Sequence, residues 1–160
     1  MALDATVGGV SANSFLTNAE ADALAADHPY GSAWAGYTNQ DALLIGATKI
    51  LVRQCFLGTA SSETQRLPFP RTGLLSRNGF ALDSASIPVE IKEAQFELAL
   101  MLGESDISRG SDAAAEGITK LKAGPVELTF ADPITQDPVP SNVKQLLVPS
   151  WLCPTATAKT

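Results

Sequence analysis

The segment "IPVEIKEAQFELALML", residues 87–102, decides the fold of this chain. Its apolar side chains recur at helical spacing and form two adjoining stripes. One stripe contains Ile91, Ala94, Leu98 and Met101, and the other contains Val89, Phe96 and Leu100. Pro88 is tolerated in a first turn, Glu90 and Glu93 suit the positive end of the helix dipole, and Gly103 favours a stop. Because so much of its surface is apolar, this helix is predicted to lie at the centre of a bundle.

Two helices are predicted before the central one. The first begins after Thr17, whose side chain and a glutamate three residues later form a capping-box pattern, and it ends near residue 27. The second spans roughly 39–54, with Thr38 as its predicted cap and an aspartate at the third position. Its apolar face consists of Leu43, Ala47, Ile50 and Leu51.

The C-terminal half has a different pattern. Residues 118–130 alternate apolar and polar side chains around a Gly-Pro pair, which predicts a β-hairpin. A short fourth helix is predicted over 141–148 and is capped by its first serine. The predicted fold is therefore a mainly α, small helical bundle over 15–148, with extended arms at 1–14 and 149–160.

Composition limits the possible functions. The 160 residues include 11 Lys+Arg and 17 Asp+Glu, which gives a formal charge of −6. This balance speaks against a protein that grips phosphates through a basic face. Cys55 and Cys153 lack metal-ligand spacing, and we expect both to be reduced thiols. The sequence predicts neither a signal peptide nor a membrane span.

No constellation typical of catalysis is present in the sequence. His28 is the single histidine and stands beside Pro29 at a helix end, where C-capping or solvation is the expected role. Nucleotide-binding glycine motifs and nucleophile elbows are absent. We therefore predict no enzyme activity, catalytic residue, metal or cofactor; an enzyme that depends on His28 stays an alternative.

A second segment, "QRLPFPRTGLL" at residues 65–75, is unusual for the middle of a chain. Pro68 and Pro70 exclude helical backbone and predict an extended loop. Leu67 and Phe69 would be its apolar anchors, and Arg71 its charged tip. Two interpretations stay open at this point. The loop covers its own core, with Arg71 on buried carbonyls or a carboxylate, or it presents an interface to another subunit.

The run "GTASSETQRLPFPRTG", residues 58–73, resembles a pattern in head-to-tail connector (adaptor) proteins of tailed bacteriophages. Phe69 stands where that family usually has Trp, which keeps an aromatic ring but removes an indole N–H. The order of helices agrees over about residues 15–102. The matching positions are Gly58, Gln65, Leu67, Phe69, Pro70, Arg71 and Gly73.

This resemblance implies a structural virion protein that is assembled in the host cytoplasm and lies in the neck at the portal vertex. It implies a ring of roughly twelve copies between the portal protein and a head-closure or tail-completion protein. DNA would pass through the lumen without being recognised.

Some members of that group carry a label as DnaT-like single-stranded-DNA-binding proteins. The alternative function is therefore a single-stranded-DNA-binding accessory replication factor. Six Phe, two Tyr and two Trp, together with a negative net charge, form a poor stacking platform and a poor electrostatic groove.

The C-terminal tail has one large anchor, Trp151, followed by Leu152. Pro149 and Pro154 flank this pair and limit the entropy lost when the segment is ordered. We expect the tail to dock into a pocket of a partner. The alternative is that it folds back on its own bundle.

Overall fold

The computed structural model describes residues 2–104, 120–123, 126–129 and 139–154. The helices are α1 Asn18–Asp27, α2 Gly31–Gly36, α3 Gln40–Leu51, α4 Val89–Glu104 and α5 Ser141–Leu146, followed by a 3-10 turn at Pro149–Trp151. The strands are β1 Thr59–Ala60, β2 Arg71–Thr72, β3 Lys120–Ala123 and β4 Val126–Thr129. The predicted fold class, a small helical bundle with a hairpin, is confirmed.

Helix α4 is the centre of the bundle and packs against α1, α2, α3 and α5. Ile91, Ala94 and Leu98 of the first stripe are fully buried, and Met101 is partly buried. Phe96 and Leu100 of the second stripe are buried as well. Val89 departs from the prediction because it is the first helical residue, and 57% of its surface is exposed.

One polar side chain of α4 lies inside this apolar core. Gln95 is fully buried, and its amide nitrogen donates to Ser14 Oγ at 2.7 Å and to the Leu44 carbonyl at 3.0 Å. Its amide oxygen accepts the Phe15 N–H at 2.9 Å. Gln95 therefore joins α4 to α3 and to the segment that leads into α1.

Helix α1 begins as predicted. The Thr17 hydroxyl accepts the Glu20 N–H, and a Glu20 carboxylate oxygen accepts the Thr17 N–H, so both halves of the capping box are present. Glu20 also pairs with Lys92 of α4. Burial alone would raise the pKa of Glu20, but hydrogen bonds from Lys92 and Thr17 hold it below its usual value.

Helix α2 was not predicted, because six residues are too short to show a helical period. Its first residue lies against the end of α1, where a Cβ on Gly31 would collide with the Ala25 carbonyl. Trp34 is buried in this helix, and its indole N–H donates to Asp22 Oδ1 at 2.9 Å. The close contact and this hydrogen bond hold α2 against α1.

The predicted ends of two helices need correction. Helix α3 is shorter than the predicted 39–54, and its cap position is Asn39, which makes no side-chain capping bond. The expected Thr38 cap is therefore wrong, although the predicted apolar face is buried. Helix α5 ends at Leu146, before the predicted residue 148. Ser141 is its first helical residue and therefore does not occupy the cap position.

The predicted C-terminal hairpin is confirmed as the antiparallel pair β3–β4, in register from Lys120↔Thr129 to Ala123↔Val126. Its Gly-Pro turn lies outside the described residues. Strands β1 and β2 form a second antiparallel pair, two residues long.

The N-terminal segment packs on its own chain. The Asp4 carbonyl accepts the N–H groups of Asn13 and Ser14, and the Gly9 carbonyl accepts the Arg66 N–H. Ala12 and Ser14 are each 1% exposed. In the single chain, residues 2–14 are therefore packed against the rest of the protein.

The two cysteines form a disulfide, which corrects the prediction of reduced thiols. Cys55 and Cys153 are 98 residues apart in sequence, and their Cα atoms lie 5.4 Å apart. That separation is typical of disulfides. The bond fastens the C-terminal segment to the chain just after α3.

We expect Cys153→Ser to lower the free energy of unfolding by about 2–4 kcal/mol, because the bond restricts a long loop in the unfolded chain. Urea unfolding followed by tryptophan fluorescence measures this. A thiol reductant should lower the parent's midpoint and leave the Cys55→Ser/Cys153→Ser protein unchanged. Two free thiols in the unreduced parent would contradict the pairing.

Candidate functional site

The proline-rich loop lies in the core, as one of the two interpretations expected. Phe69 is 1% exposed. Its ring centroid is 6.4 Å from that of Phe15, 5.0 Å from Phe56 and 5.9 Å from Trp151. Leu67 and Pro70 are buried beside it. The predicted anchors of the loop therefore hold it to its own chain.

Arg71 is engaged by backbone carbonyls. Its Nε donates to Leu57 O at 2.7 Å, and Nη1 donates to Pro68 O at 3.1 Å. Its Nη2 donates to Phe56 O at 3.1 Å and to Gly58 O at 2.8 Å. Burial lowers the pKa of Arg71 below its ordinary value. The side chain is thus a cross-link between the loop and the chain after α3.

Gln65 closes the same loop from the other side. Its amide nitrogen donates to the carbonyls of Leu67, at 2.7 Å, and Pro70, at 3.0 Å. Its amide oxygen accepts the Ser62 N–H at 2.9 Å. All five predicted loop residues therefore make contacts within their own chain. An interface role for this rigid loop stays a prediction.

The C-terminal tail folds back on the bundle as far as the structure describes it. Trp151 is 0% exposed, and its indole N–H donates to Leu75 O at 2.6 Å. Leu152 is half-buried and forms a β-bridge with Phe56. In this conformation Trp151 is not available to a partner, so the fold-back alternative describes this segment.

A tight hairpin at residues 74–82 was missed at the sequence level. The Ser76 N–H donates to Phe80 O at 2.7 Å, the Leu82 N–H donates to Leu74 O at 3.0 Å, and Gly79 has a φ of +83°. An Asn-Gly pair between apolar residues is the signal that predicts such a turn. We call residues 74–82 the Phe80 hairpin.

The Phe80 hairpin carries an exposed aromatic ring and a cation. Phe80 is 74% exposed. Arg77 Nη2 donates to Gln145 O at 2.9 Å and to Leu146 O at 2.7 Å, two carbonyls at the end of α5. These bonds position the guanidinium, and its other nitrogens have no hydrogen-bond partner among the described residues. A ring for stacking and a cation for a phosphate therefore lie on one turn.

His28 caps α1 through its backbone N–H and contacts Glu97 through its ring. Its N–H donates to Ala25 O at the C-terminal end of α1, as the sequence predicted. Its ring lies 3.1 Å from Glu97 Oε2. Within the described ranges, no group of three or more potential ligands could hold a metal ion. In the same part of the chain, no helix has the length and apolarity to cross a membrane.

The comparisons with known proteins identify a family. Residues 1–159 match the family model described as "Putative DnaT-like ssDNA binding protein". The chain belongs to this family. Neither the search of curated proteins nor the search of solved structures gave a match. Membership in the DnaT-like family supports the alternative function better than the head-to-tail connector, for which these comparisons give no support.

We expect Arg71→Lys to lower the free energy of unfolding by about 1–2 kcal/mol, because one ammonium cannot reach four diverging carbonyls and leaves partly buried acceptors unpaired. Arg66→Lys is the control: Arg66 is exposed, and a surface change should stay within about 0.5 kcal/mol. Urea unfolding of both variants tests this. Equal midpoints would show that the four bonds contribute nothing.

Proposed function

We propose that this protein binds single-stranded DNA without sequence preference and that the Phe80 hairpin is its contact surface. Membership in the DnaT-like family carries the proposal. The hairpin adds a physical basis, since bases of any type stack on an exposed aromatic ring and each stacked base contributes roughly 1–3 kcal/mol.

The charges of the chain limit the strength of this binding. The formal charge is −6, and the side chains of Arg71 and Lys92 are already engaged within the chain. Attraction to the DNA backbone is therefore local to a few cations such as Arg77, whose Nη2 is held by two carbonyls while its other nitrogens have no hydrogen-bond partner among the described residues. We expect dissociation constants of about 1–100 µM at low salt, rising with added salt.

Substitutions at Phe80 test the proposal. Phe80→Leu keeps an apolar side chain but removes the aromatic face, so DNA affinity should fall roughly 5- to 150-fold. Phe80→Tyr should bind like the parent. Fluorescence anisotropy with a labelled oligonucleotide of roughly 30 bases, long enough for several stacking contacts, measures both.

Val10→Ala is the matched control, because Val10 is 67% exposed and carries no aromatic ring. It should leave the affinity unchanged. An unaltered affinity in Phe80→Leu would remove the hairpin from the site. Absence of binding by the parent at the lowest salt would overturn the function itself.

The second candidate is the head-to-tail connector of a tailed bacteriophage. The excess of 17 Asp+Glu over 11 Lys+Arg favours it, because an acidic lumen would let DNA pass without retention. The connector would contact the portal protein and the next neck or tail protein through packing, and its function would need no enzyme activity or cofactor.

Mass photometry separates the two candidates. The connector requires a closed ring of roughly twelve copies, alone or with portal protein, and negligible retention of single-stranded DNA near physiological salt. A monomer that binds DNA through Phe80 supports the first candidate. A ring that does not bind DNA supports the connector.

A further inference from the structure

A cavity of about 510 Å³ lies where α1, α4 and α5 meet. Its apolar lining consists of Leu24 of α1, Phe96 of α4 and Leu146 of α5. Phe96 is 3% exposed, so its ring is a fixed part of the bundle. The volume falls in the range of small-molecule sites, roughly 300–1,000 Å³. The cavity is large enough for a whole aliphatic ligand.

Three carboxylates line the same cavity: Asp27 at the end of α1, and Glu93 and Glu97 one turn apart on α4. Asp27 and Glu93 are exposed and have no hydrogen-bond or ion-pair partner among the described residues. They therefore place two carboxylates, unpaired within the described part of the chain, beside apolar walls.

His28 orients the third carboxylate, Glu97. Its Nδ1 accepts the Tyr30 N–H at 3.2 Å, so its proton lies on Nε2. That N–H points to Glu97 Oε2 at 3.1 Å. Glu97 accepts this one hydrogen bond, and all three carboxylates can still accept hydrogen bonds from a cation.

We propose that this cavity binds an aliphatic polyamine. Ammonium groups at two or more positions of such a chain match separated carboxylates, and its methylene groups match Leu24, Phe96 and Leu146. A single compact cation would leave the apolar walls unused, and a neutral apolar ligand would leave the charges unpaired. This site is separate from the Phe80 hairpin and does not depend on DNA binding.

Calorimetric titration of the full chain with spermidine, at low salt and without DNA, tests the proposal. We expect saturable binding with a stoichiometry of about one, since one cavity is involved. The Asp27→Asn/Glu93→Gln protein should bind roughly 2- to 30-fold more weakly, because two exposed ion pairs are lost. Glu63→Gln/Asp83→Asn is the control, since it makes the same charge change at exposed positions outside the cavity.

A steric variant distinguishes the cavity from diffuse attraction. Asn142 lines the cavity and is exposed, so Asn142→Trp should fill the space and reduce spermidine binding while every carboxylate remains. The proposal would be overturned if the control protein lost as much spermidine affinity as the Asp27→Asn/Glu93→Gln protein. It would also be overturned if Mg²⁺, at the same concentration of positive charge, displaced spermidine completely. Binding of an acetylated arginine amide in place of spermidine would also overturn it and would assign the cavity to a partner's side chain.

Discussion

The buried amide of Gln95 is the interaction on which the arrangement of helices depends. Apolar stripes alone bring α4 against its neighbours, but they tolerate small shifts along the helix because apolar contacts are not directional. Gln95 makes three hydrogen bonds, to Ser14, Phe15 and Leu44, inside a core where an unpaired amide is costly. Only one register of α3 and of the entry into α1 satisfies all three.

A second set of contacts extends this core to the loops and the tail. Phe69 packs against rings from the N-terminal segment, the chain after α3 and the C-terminal segment. Arg71 ties the loop to the chain after α3 through carbonyls, and the Cys55–Cys153 disulfide joins that chain to the C-terminal segment. The conspicuous "PFPR" sequence is therefore accounted for by folding, and the exposed candidate surfaces lie elsewhere.

The two candidate surfaces carry charges of opposite sign. The Phe80 hairpin combines an exposed ring with the Arg77 guanidinium, which suits a base and its phosphate. The cavity between α1, α4 and α5 combines apolar walls with carboxylates, which suits an aliphatic cation. The two separate surfaces both involve Leu146 of α5, whose carbonyl accepts a bond from Arg77 and which also lines the cavity. One short helix therefore supports both surfaces.

Features that depend on near neighbours were determined by the sequence. The Thr17–Glu20 capping box, the stripes of α4 and the alternation of β3 and β4 each involve residues close along the chain, so the pattern and its physical cause are both visible in the letters. The Phe80 hairpin had such a signal too, in its Asn-Gly pair, although nothing local showed that Phe80 would stay exposed.

Pairings between distant residues were decided only by the tertiary structure. Two cysteines 98 residues apart, an amide whose partners lie on other segments, and an arginine that reaches four carbonyls have no local signature. The same holds for α2, which is held in place by the contact of Gly31 with α1 and by Trp34 rather than by a periodic pattern. How the apolar faces pack decides whether these groups face solvent, another molecule or each other. The reason is that packing sets which polar groups lose water and must then find a hydrogen-bond partner within the chain.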